Sequence, residues 1–366
     1  MQIVMKKILY DNQMFTFQRF GGVTRYFADL IFNLPQDEFG ASLPMEFCEN
    51  HYVTVTYGKK YKTFSYPRNY RWRRRLYQLA NLHYAWKAIK YDDYDIFHPT
   101  YYSPYFVDTI KRRQKALVLT IHDMTFERYP QDVLIYDRTI PHKKRLIAEA
   151  DHIIAVSENT KRDIVELLGT DPAKISVVHH GYKPADIVAP QLFDRYILYV
   201  GERKGYKNFI PWLSAILPIF NLDPHLELIC TGSPFTAAEL KHFAQWNISN
   251  RIRHITANDA QMASLYRHAL CFIFPSLYEG FGIPILEAFH NNCPMCLSAA
   301  SCFPEVAGDA AIYFDPNDAQ SMHDTLKEML TSDTLRNGLR QKGALRGKEF
   351  SIERMVGQTC DVYRKL

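Results

Sequence analysis

The chain contains 366 residues, of which 47% are hydrophobic and 23% are charged, and its formal net charge is +5. This length exceeds what one hydrophobic core usually supports, so we expect two domains of about 150 to 200 residues with a cleft between them. The composition excludes extended disorder, and the small net charge does not by itself indicate a nucleic-acid partner.

The N-terminus and the cysteines favour a cytoplasmic protein. The first apolar run is too short for a secretory signal and leads directly into a predicted strand. No stretch of about 18 consecutive apolar residues occurs, so no membrane-spanning helix is predicted. Seven scattered cysteines suit reduced thiols better than a disulfide framework.

The first half of the chain alternates short β-branched runs with amphipathic stretches, which is typical of βαβ units and a parallel sheet. The predicted strands are Ile8–Tyr10, Asp95–His98, Ala116–His122, His152–Val156 and Ile175–Val178. The predicted helices lie near Thr24–Asn33, Arg73–Lys90, Val133–Ala150 and Glu158–Leu168. We assign these elements to an N-terminal domain over residues 1–183.

Two prolines and a loss of periodicity predict a linker over residues 184–194, and the alternation then resumes in a second domain over residues 195–348. Its predicted strands are Tyr196–Val200, Leu226–Thr231, Arg251–Ile255, Cys271–Phe274 and Pro294–Leu297. Its predicted helices are Asn208–Phe220, Ala237–Trp246, Asp259–His268 and Pro284–His290, with two or three more from Ala319 onward. Two doubly wound α/β domains bind ligands at the carboxyl ends of their strands, so candidate residues are sought there.

The most informative segment follows the strand that ends at Phe274. It contains Glu279, then Gly280, Phe281 and Gly282, and a helix start at Pro284 followed by Glu287; all of these lie within Phe274–Ala288. Free N–H groups of the glycine loop and of the first helical turn predict a cradle for an anion such as a diphosphate.

The two glutamates raise the question of a glycosidase. If both were helical, they would lie about 12 Å apart along the axis, which exceeds the roughly 5 to 9.5 Å that acid and base carboxyls need. We therefore interpret Glu279 and Glu287 as binders of sugar and ribose hydroxyls.

A second candidate group ends the first strand of the second half, where Gly201 precedes Arg203 and Lys207. Two cations four residues apart at a strand-to-helix turn can clamp a diphosphate and stabilise the charge that develops on it as it leaves. Taken alone, cations in such a loop are more often solvated surface residues.

In the first half, Gly21 and Gly22 follow the first strand and open a helix, which again suits an anion or, equally, a tight turn. His122 ends a central strand, and His98 ends its neighbour. A histidine at a strand end can donate to a sugar hydroxyl. For His122 we favour a catalytic site, and for His98 a contact with the acceptor and a capped strand end are equally good interpretations.

The segment 66–75 combines Arg68, Arg71, Arg73, Arg74 and Arg75 with three aromatic residues. This mixture suits anionic lipid headgroups or phosphates, so peripheral contact with an anionic membrane surface is one interpretation. The solvated start of a helix is an equally good interpretation.

Other chemistries lack a suitable pattern. Asp93 and Asp95 resemble a D-x-D metal motif but precede a strand, where aspartates commonly mark a loop. A zinc-like group of four residues straddles a predicted buried strand; it consists of His290, Cys293, Cys296 and Cys302. The chain has no P-loop, no G-x-G-x-x-G after its first strand and no G-x-S-x-G, so nucleotidase, dehydrogenase and hydrolase functions have no anchor.

The stretch from Glu279 to Glu287 resembles the E-x7-E signature of the retaining glycosyltransferases of family 4, also called group 1, which have the GT-B fold. The resemblance runs through the chain, and its further segments are Gly21-Gly22, His122-Asp123, 156–160, 178–181, Gly201 to Lys207 and 304–310. It implies two Rossmann-like domains facing a central cleft and a C-terminal helix, residues 349–366, that packs back on the first domain.

The resemblance also implies roles for residues. Arg203 and Lys207 match diphosphate contacts, Glu279 a donor-sugar contact and Glu287 a ribose contact. It implies a nucleotide-diphosphate-sugar donor, retention without an obligatory metal or cofactor, and a β-phosphate that takes the acceptor proton.

Within the family, residues 10–13, 20–26 and 98–102 look most like bacterial mannosyltransferases of O-antigen or exopolysaccharide assembly. This resemblance implies GDP-mannose as donor and a lipid-linked saccharide as acceptor. A UDP-sugar-dependent transferase, a phosphorylase or epimerase of the same fold, and a catalytically silent nucleotide-sugar-binding scaffold are the alternatives.

Overall fold

A computed structural model describes residues 5–64, 69–132, 137–184 and 187–366. The chain divides into two compact units. The first unit comprises Met1–Gly181 together with Ile352–Leu366, and the second comprises Tyr182–Ser351.

The described residues of the first unit form a six-stranded parallel sheet with the order β2-β1-β3-β4-β5-β6. The strands are β1 (Lys6–Tyr10), β2 (Phe39–Ser42), β3 (Ile96–His98), β4 (Ala116–Ile121), β5 (His152–Ala155) and β6 (Ile175–Val177). Strands β3, β4 and β5 are mostly apolar and almost completely buried, as expected for a parallel sheet that is covered on both faces.

Helices connect these strands. They are α1 (Gln13–Phe17), α2 (Gly22–Phe32), α3 (Tyr70–Tyr91), α4 (Val107–Arg113), α5 (Thr125–Arg128), α6 (Thr139–Glu149) and α7 (Glu158–Leu168), and a π-helical turn spans Tyr52–Thr56. Helix α7 begins where Ser157 accepts a hydrogen bond from the Thr160 N–H and ends at Gly169 in the left-handed conformation. The start of the predicted helix Val133–Ala150 includes residues 133–136, which lie outside the described part of the chain.

The second unit has a six-stranded parallel sheet with the order β12-β11-β10-β7-β8-β9. Its strands are β7 (Tyr196–Tyr199), β8 (Glu227–Cys230), β9 (Ile252–His254), β10 (Phe272–Phe274), β11 (Met295–Ser298) and β12 (Ile312–Phe314). Counted from β7, this is the 3-2-1-4-5-6 order of a doubly wound dinucleotide-binding fold.

The helices of this unit cover the sheet. They are α8 (Phe209–Ala215), α9 (Leu217–Leu222), α10 (Ala237–Gln245), α11 (Asp259–His268), α12 (Ile283–His290), α13 (Phe303–Ala307), α14 (Ala319–Thr331) and α15 (Asp333–Arg346). Both α10 and α11 begin with a capping box, which fixes their first turns. The helix predicted over Asn208–Phe220 is divided at Ile216, two residues before Pro218, because proline cannot donate an N–H within a helix.

The part of the predicted linker at residues 187–194 belongs to the second unit. The Ala189 N–H donates to the Ala260 carbonyl over 3.0 Å, and the Ser264 hydroxyl donates to the Pro190 carbonyl over 2.9 Å. These bonds fix the segment to helix α11.

The C-terminal helix α16 (Ile352–Arg364) belongs to the first unit, as the family resemblance implied. The Tyr363 hydroxyl lies 2.7 Å from the Tyr10 hydroxyl and 2.6 Å from Nδ1 of His98. Arg364 forms an ion pair with Glu38. The helix therefore completes the core of the first unit.

Candidate functional site

The strand order of the second sheet identifies a candidate binding site at the carboxyl ends of β7 and β10. Strands β7 and β10 are neighbours although the chain runs from β7 outward to β8 and β9 before it returns to β10. Ligands of doubly wound sheets bind at the carboxyl ends of strands where the order reverses in this way. The loop after β7 and the loop after β10 meet there, since the Leu277 N–H donates to the Tyr206 carbonyl over 2.7 Å.

This edge brings together two of the predicted site residues. Nζ of Lys207 donates to Oε1 of Glu279 over 2.6 Å, and both side chains are largely buried. The Ser301 hydroxyl fixes the backbone of Glu279, because it accepts from the Glu279 N–H and donates to the Glu279 carbonyl. A cation and a carboxylate are thus held beside the loop that carries Gly280–Gly282.

Helix α12 starts from this loop. Gly282 has a φ of +88°, and a Cβ at this position would lie 3.1 Å from Cδ1 of Ile285, so the turn favours glycine. Pro284 occupies the first turn and lacks an N–H, and no side chain of the described residues caps the helix. The N-terminal end of α12 therefore keeps a partial positive charge next to Glu279. Phe281 packs with its ring 5.9 Å from that of Phe350, so its side chain is part of the core.

Glu287 lies in the second turn of α12, because the helix begins at Ile283 rather than at Pro284. Oε2 of Glu287 accepts a hydrogen bond from the Tyr266 hydroxyl of helix α11 over 2.9 Å. Burial and the neighbouring carboxylate raise the pKa of Tyr266 well above its usual value, so this tyrosine stays a neutral donor. The two glutamates of the E-x7-E segment therefore have separate partners.

Arg203 is placed differently from Lys207. Its side chain is only 3% exposed. Nε donates to Glu239 over 2.7 Å, and the two terminal nitrogens donate to the carbonyls of Thr231, Ser233 and Pro234. In this structure the guanidinium thus holds the loop after β8, and its predicted contact with a diphosphate stays a prediction.

Glu239 is the residue that compensates the buried charge of Arg203. Burial acts to raise the pKa of Glu239, but hydrogen bonds from Arg203 and Thr236 outweigh it and the pKa is lowered. The carboxylate is therefore ionised at neutral pH.

Gly201 contributes to the site through its backbone. It has a φ of +116° and lies directly against the loop after β8. A Cβ on Gly232 would lie only 2.4 Å from the Gly201 carbonyl oxygen, so these two loops approach each other more closely than a side chain would permit.

Gly21 and Gly22 belong to the first unit, whereas the other predicted donor-binding residues belong to the second. Gly21 precedes helix α2, and its carbonyl accepts from the Arg25 N–H and the Thr24 hydroxyl. A Cβ on Gly21 would lie 2.2 Å from Oε1 of Gln18, so a larger residue here would displace the end of that side chain. Their contact with a donor stays a prediction.

His122 follows strand β4 and is surrounded by aromatic rings. Its ring lies 5.2 Å from that of Tyr26 and stacks at 5.7 Å on that of His180. Among the described residues, Nε2 of His122 has no hydrogen-bond partner although it is buried. Burial, with a smaller effect of Lys143, lowers the pKa of His122 to about 4, against the opposing effect of Asp123. The imidazole is therefore neutral at pH 7, and its catalytic role stays a prediction.

His98 lies inside the core of the first unit. It is completely buried; Nδ1 lies 2.6 Å from the Tyr363 hydroxyl and Nε2 lies 2.8 Å from the Thr120 hydroxyl. Burial, with a smaller effect of His122, lowers its pKa to about 3. With both ring nitrogens bonded inside the core, His98 has no atom left for an acceptor, so its position favours the structural interpretation.

The three arginines of the cluster with described side chains have different surroundings. Arg73 forms an ion pair with Glu49, and the guanidinium of Arg74 lies over the Phe17 ring at 4.6 Å. Arg75 is exposed and lies over the Trp72 ring at 5.0 Å. Arg68 and the side chain of Arg71 lie outside the described part of the structure.

The candidate metal motifs have other partners. Asp93 forms an exposed ion pair with Lys7, and Asp95 accepts from the Lys7 N–H. Cys293, Cys296 and Cys302 are buried free thiols. Within the described ranges, no group of three or more His, Cys, Asp or Glu side chains could hold a metal ion. No helix in the same ranges is both long and apolar enough to cross a bilayer.

Sequence comparison assigns both halves of the chain. Residues 20–186 match the family Glycosyltransferase Family 4, and residues 187–346 match Glycosyl transferases group 1. The chain is a family 4 (group 1) glycosyltransferase. The predicted family is therefore confirmed.

Curated relatives of this glycosyltransferase include two that are named as mannosyltransferases. O-antigen chain mannosyltransferase B of Escherichia coli is 29% identical over 308 residues, which cover 77% of each chain. O-antigen chain mannosyltransferase RfbU of Salmonella typhimurium is 24% identical over 216 residues, covering 58% of this chain and 60% of the relative.

Solved structures share the fold of this glycosyltransferase. HepE of Anabaena, in complex with UDP and glucose, has a TM-score of 0.72 at 16% identity and covers 99% of this chain and 100% of its own. Sucrose-phosphate synthase of Thermosynechococcus elongatus has a TM-score of 0.70 at 15% identity, with 98% of both chains covered. These likenesses confirm the predicted two-domain GT-B fold.

Several supporting residues of the glycosyltransferase were missed by sequence reasoning. Glu239 stands in a T-x-x-E capping box that the sequence does show, but a capping box predicts a helix start rather than a partner for Arg203. Ser301 and Tyr266 carry no motif. Ser301 follows the strand beside β10, so a correct strand order would have identified its loop as a neighbour of Glu279.

Proposed function

We propose that this glycosyltransferase moves a hexose, with mannose favoured, from a nucleotide-diphosphate-sugar to a hydroxyl of a lipid-linked or oligosaccharide acceptor in surface polysaccharide synthesis. The observation that carries the proposal is the Lys207–Glu279 pair at the strand-order reversal of the second sheet. The similarity to the two O-antigen mannosyltransferases supports mannose as the sugar, and the similarity to HepE, whose structure contains UDP, supports a nucleotide donor.

The proposed chemistry centres on the leaving diphosphate. As the bond between the anomeric carbon and the β-phosphate oxygen breaks, negative charge develops on the diphosphate. Nζ of Lys207 and the N-terminal end of α12 supply positive charge at that place. Arg203 acts here as a second cation or, through its bonds to the loop after β8, as a positioning residue.

The acceptor hydroxyl attacks on the face that the diphosphate leaves, so the anomeric configuration is retained. The β-phosphate takes the acceptor proton, and the reaction then requires neither an enzymic nucleophile nor a metal or other cofactor. His122, neutral at pH 7, is proposed to contact the transferring sugar or the acceptor.

The carboxylates of the E-x7-E segment have a binding role in this proposal. Glu279 accepts from sugar hydroxyls, and its hydrogen bond from Lys207 orients the carboxylate. Glu287, steadied by the Tyr266 hydroxyl, accepts from the ribose hydroxyls. Charge-assisted bonds of this kind are stronger than neutral ones.

The first experiment identifies the donor. Thermal-shift and calorimetric binding are measured with GDP, UDP, ADP and dTDP and with their common sugars, each with and without EDTA. We expect stabilisation by GDP and GDP-mannose that survives EDTA. A preference for UDP would replace the donor within the same family, and binding of no nucleotide would support a silent scaffold instead.

The stereochemistry has its own test. With the donor identified, the anomeric coupling constants of the product are measured by NMR immediately after transfer. We expect the configuration of the donor to persist, and an inverted product would contradict the proposed same-face attack.

The proposed acceptor places the enzyme at the inner face of the plasma membrane. The protein is then cytoplasmic, its partners are a GDP- or UDP-sugar, a lipid-linked saccharide and the anionic leaflet, and nucleic acid is not among them. Transfer to a membrane extract compared with transfer to a water-soluble oligosaccharide tests this location.

A further inference from the structure

One face of helix α3, its inner face, packs against the rest of the first unit. The buried residues of the helix lie on one side, where they pack on the first unit; they are Tyr77, Asn81, Ala85, Ala88 and Ile89. Asn81 donates to the Phe47 carbonyl and accepts from the N–H groups of Glu46 and Phe47. These contacts fix the rotation of the helix about its axis, and hence they fix which residues point outward.

The outward face of α3 carries an apolar stripe. Trp72, Leu79 and Trp86 are 58%, 71% and 44% exposed. They are seven residues apart, close to two helical turns, so they align along the helix over about 21 Å. Leu76 and Leu82 are also exposed and flank this line. Large apolar side chains rarely cluster on the solvent side of a soluble helix unless something covers them.

The charged residues of α3 itself have one sign. Residues 70–91 contain six arginines and lysines and no aspartate or glutamate. Arg75 lies over the Trp72 ring at 5.0 Å, and Lys90 lies over the Trp86 ring at 4.8 Å. Lys87 is exposed between them. Each end of the stripe thus combines an indole with a cation, which suits the headgroup region of a bilayer.

We propose that the outward face of α3 docks on an anionic lipid bilayer, with Leu79 and the two indoles entering the interface and Arg75, Lys87 and Lys90 reaching the lipid phosphates. Helices that lie in an interface combine apolar residues with Lys and Arg in this way. The inference rests on the proposed function in one respect: a lipid-linked acceptor explains why the enzyme would bind a membrane.

Charge decides between a bilayer and a second copy of this chain. A stripe of large apolar residues at seven-residue spacing could also pair with its own copy, as in a coiled coil. Two copies would then bring two helices together that both carry only positive charge, and like charges oppose that contact. Anionic lipid, in contrast, complements the helix.

The structure also shows which of the described arginines lie on the proposed docking face. Arg73 is engaged with Glu49, and Arg74 lies over Phe17, so neither belongs to the outward face. Substitution of Arg73 would disturb the Glu49 and Tyr77 contacts rather than test lipid binding. Among the arginines with described side chains, Arg75 is the one that belongs to the docking face.

The test measures co-sedimentation of the full chain with phosphatidylcholine vesicles, with and without phosphatidylglycerol, at about 0.1 M salt. We expect binding to the anionic vesicles that falls as salt rises. The combined variant R75S, K87S and K90S should weaken binding about a hundredfold, since each surface cation contributes about fivefold. The combined variant W72S, L79S and W86S should weaken it at least about tenfold.

A matched control carries three leucines of the second unit with exposures in a similar range, Leu222, Leu240 and Leu345, changed to serine. This control should bind vesicles like the parent. Thermal shift with the nucleotide identified above should be unchanged in all three combined variants. Normal nucleotide binding with lost vesicle binding separates this inference from the proposed function.

Tryptophan fluorescence gives an independent readout. Two of the chain's four tryptophans, Trp72 and Trp86, lie on the stripe, whereas Trp212 is completely buried. Anionic vesicles should shift the emission of the parent to shorter wavelength, and the variant W72F and W86F should lose most of that shift. Two results would overturn the proposal: no binding to anionic vesicles, or a dimer in sedimentation velocity that the W72S, L79S and W86S variant abolishes.

Discussion

The carboxyl ends of the two sheets offer the same topological position but different chemistry. In the second unit the strand-order reversal lies between β7 and β10, and it carries the Lys207–Glu279 ion pair and the start of α12. In the first unit the reversal lies between β1 and β3, and it carries His98 and Asp11, both completely buried. One edge presents charge, and the other has its polar groups bonded inside the protein.

The difference shows that strand order defines where a ligand could bind, whereas the side chains at that position determine whether polar groups are left to bind it. Asp11 accepts hydrogen bonds from the N–H and hydroxyl of Thr100 and from Gln13, and burial raises its pKa. Such a carboxyl secures the ends of two strands. Glu279 in the other unit is fixed through its backbone by Ser301, which leaves its carboxylate for Lys207 and for a ligand.

The largest effect is expected for the buried charge of Arg203, in the loop after β7. Arg203→Ala leaves Glu239 without its partner, and the loss should be about 3 to 5 kcal/mol of the free energy of unfolding of the second unit. Urea unfolding measures it. The exposed Arg253→Ala, which breaks a surface pair with Glu227, should cost less than about 1 kcal/mol.

Activity separates the two roles of Arg203. Glu239→Gln keeps the guanidinium but removes its charged partner. If Arg203 only supports the loop after β8, the two variants should lose transfer activity to the same extent. If it also contacts the diphosphate, Arg203→Ala should be the more damaging.

The next largest effect is expected for Lys207, the cation of the Lys207–Glu279 pair. Lys207→Ala should lower kcat by at least about a hundredfold, because the leaving diphosphate loses its stabilising charge. Lys204, exposed in the same loop, provides the matched control, and Lys204→Ala should retain most of the activity. Full turnover in the Lys207→Ala enzyme would remove this residue from the mechanism.

The buried His98 predicts acid sensitivity of the first unit. The pKa of His98 is lowered to about 3 by burial, with a smaller effect of His122, from an ordinary value of 6.5. The unfolded chain therefore takes up a proton as the pH falls below about 6.5 while the folded chain does not. Between pH 7 and pH 5 this histidine should remove about 2 kcal/mol of stability.

Urea titrations at pH 7, 6 and 5 check this value. His98→Gln should lower stability at pH 7 but flatten the dependence on pH by about 2 kcal/mol. His225→Gln, at an exposed position of the second unit, is the control. An unchanged slope in the His98 variant would show that the acid response originates elsewhere.

The smallest effect is expected at the ribose contact. Glu287→Gln should weaken nucleotide binding by about 1.5 kcal/mol, slightly more than tenfold in Kd, because a charge-assisted bond becomes a neutral one. Calorimetry measures it. Tyr266→Phe, which removes only the hydroxyl that steadies Glu287, should have a smaller effect, and unchanged affinity in Glu287→Gln would remove its proposed role.

The sequence predicted local features well. Periodicity located most of the strands and helices, including α7 and α11 at their observed bounds. Strands β2 and β12 were missed, since they are four and three residues long and too short to establish a period. The glycine and proline pattern after β10 predicted the start of α12 to within one residue.

Contacts over long distances were harder to predict. The burial of His98 depends on Tyr363, which is 265 residues away in the chain and carries no motif. Arg73 pairs with Glu49 whereas Arg75 points outward, and this difference depends on the rotation of α3 about its axis, which its inner contacts determine. The proximity of Lys207 and Glu279 follows from strand order, and the sequence predicted the strands without their order.

The position of α16 has a consequence for biosynthesis. Tyr363, His98, Thr120 and Tyr10 form one hydrogen-bonded group that joins the last helix to three strands of the first sheet. Domains generally fold as they leave the ribosome, N-terminal parts first. Here the second unit, Tyr182–Ser351, is synthesised in full before the residues that complete the first. The nascent first unit must therefore wait, with Tyr10 and His98 uncovered, for the helix that closes it.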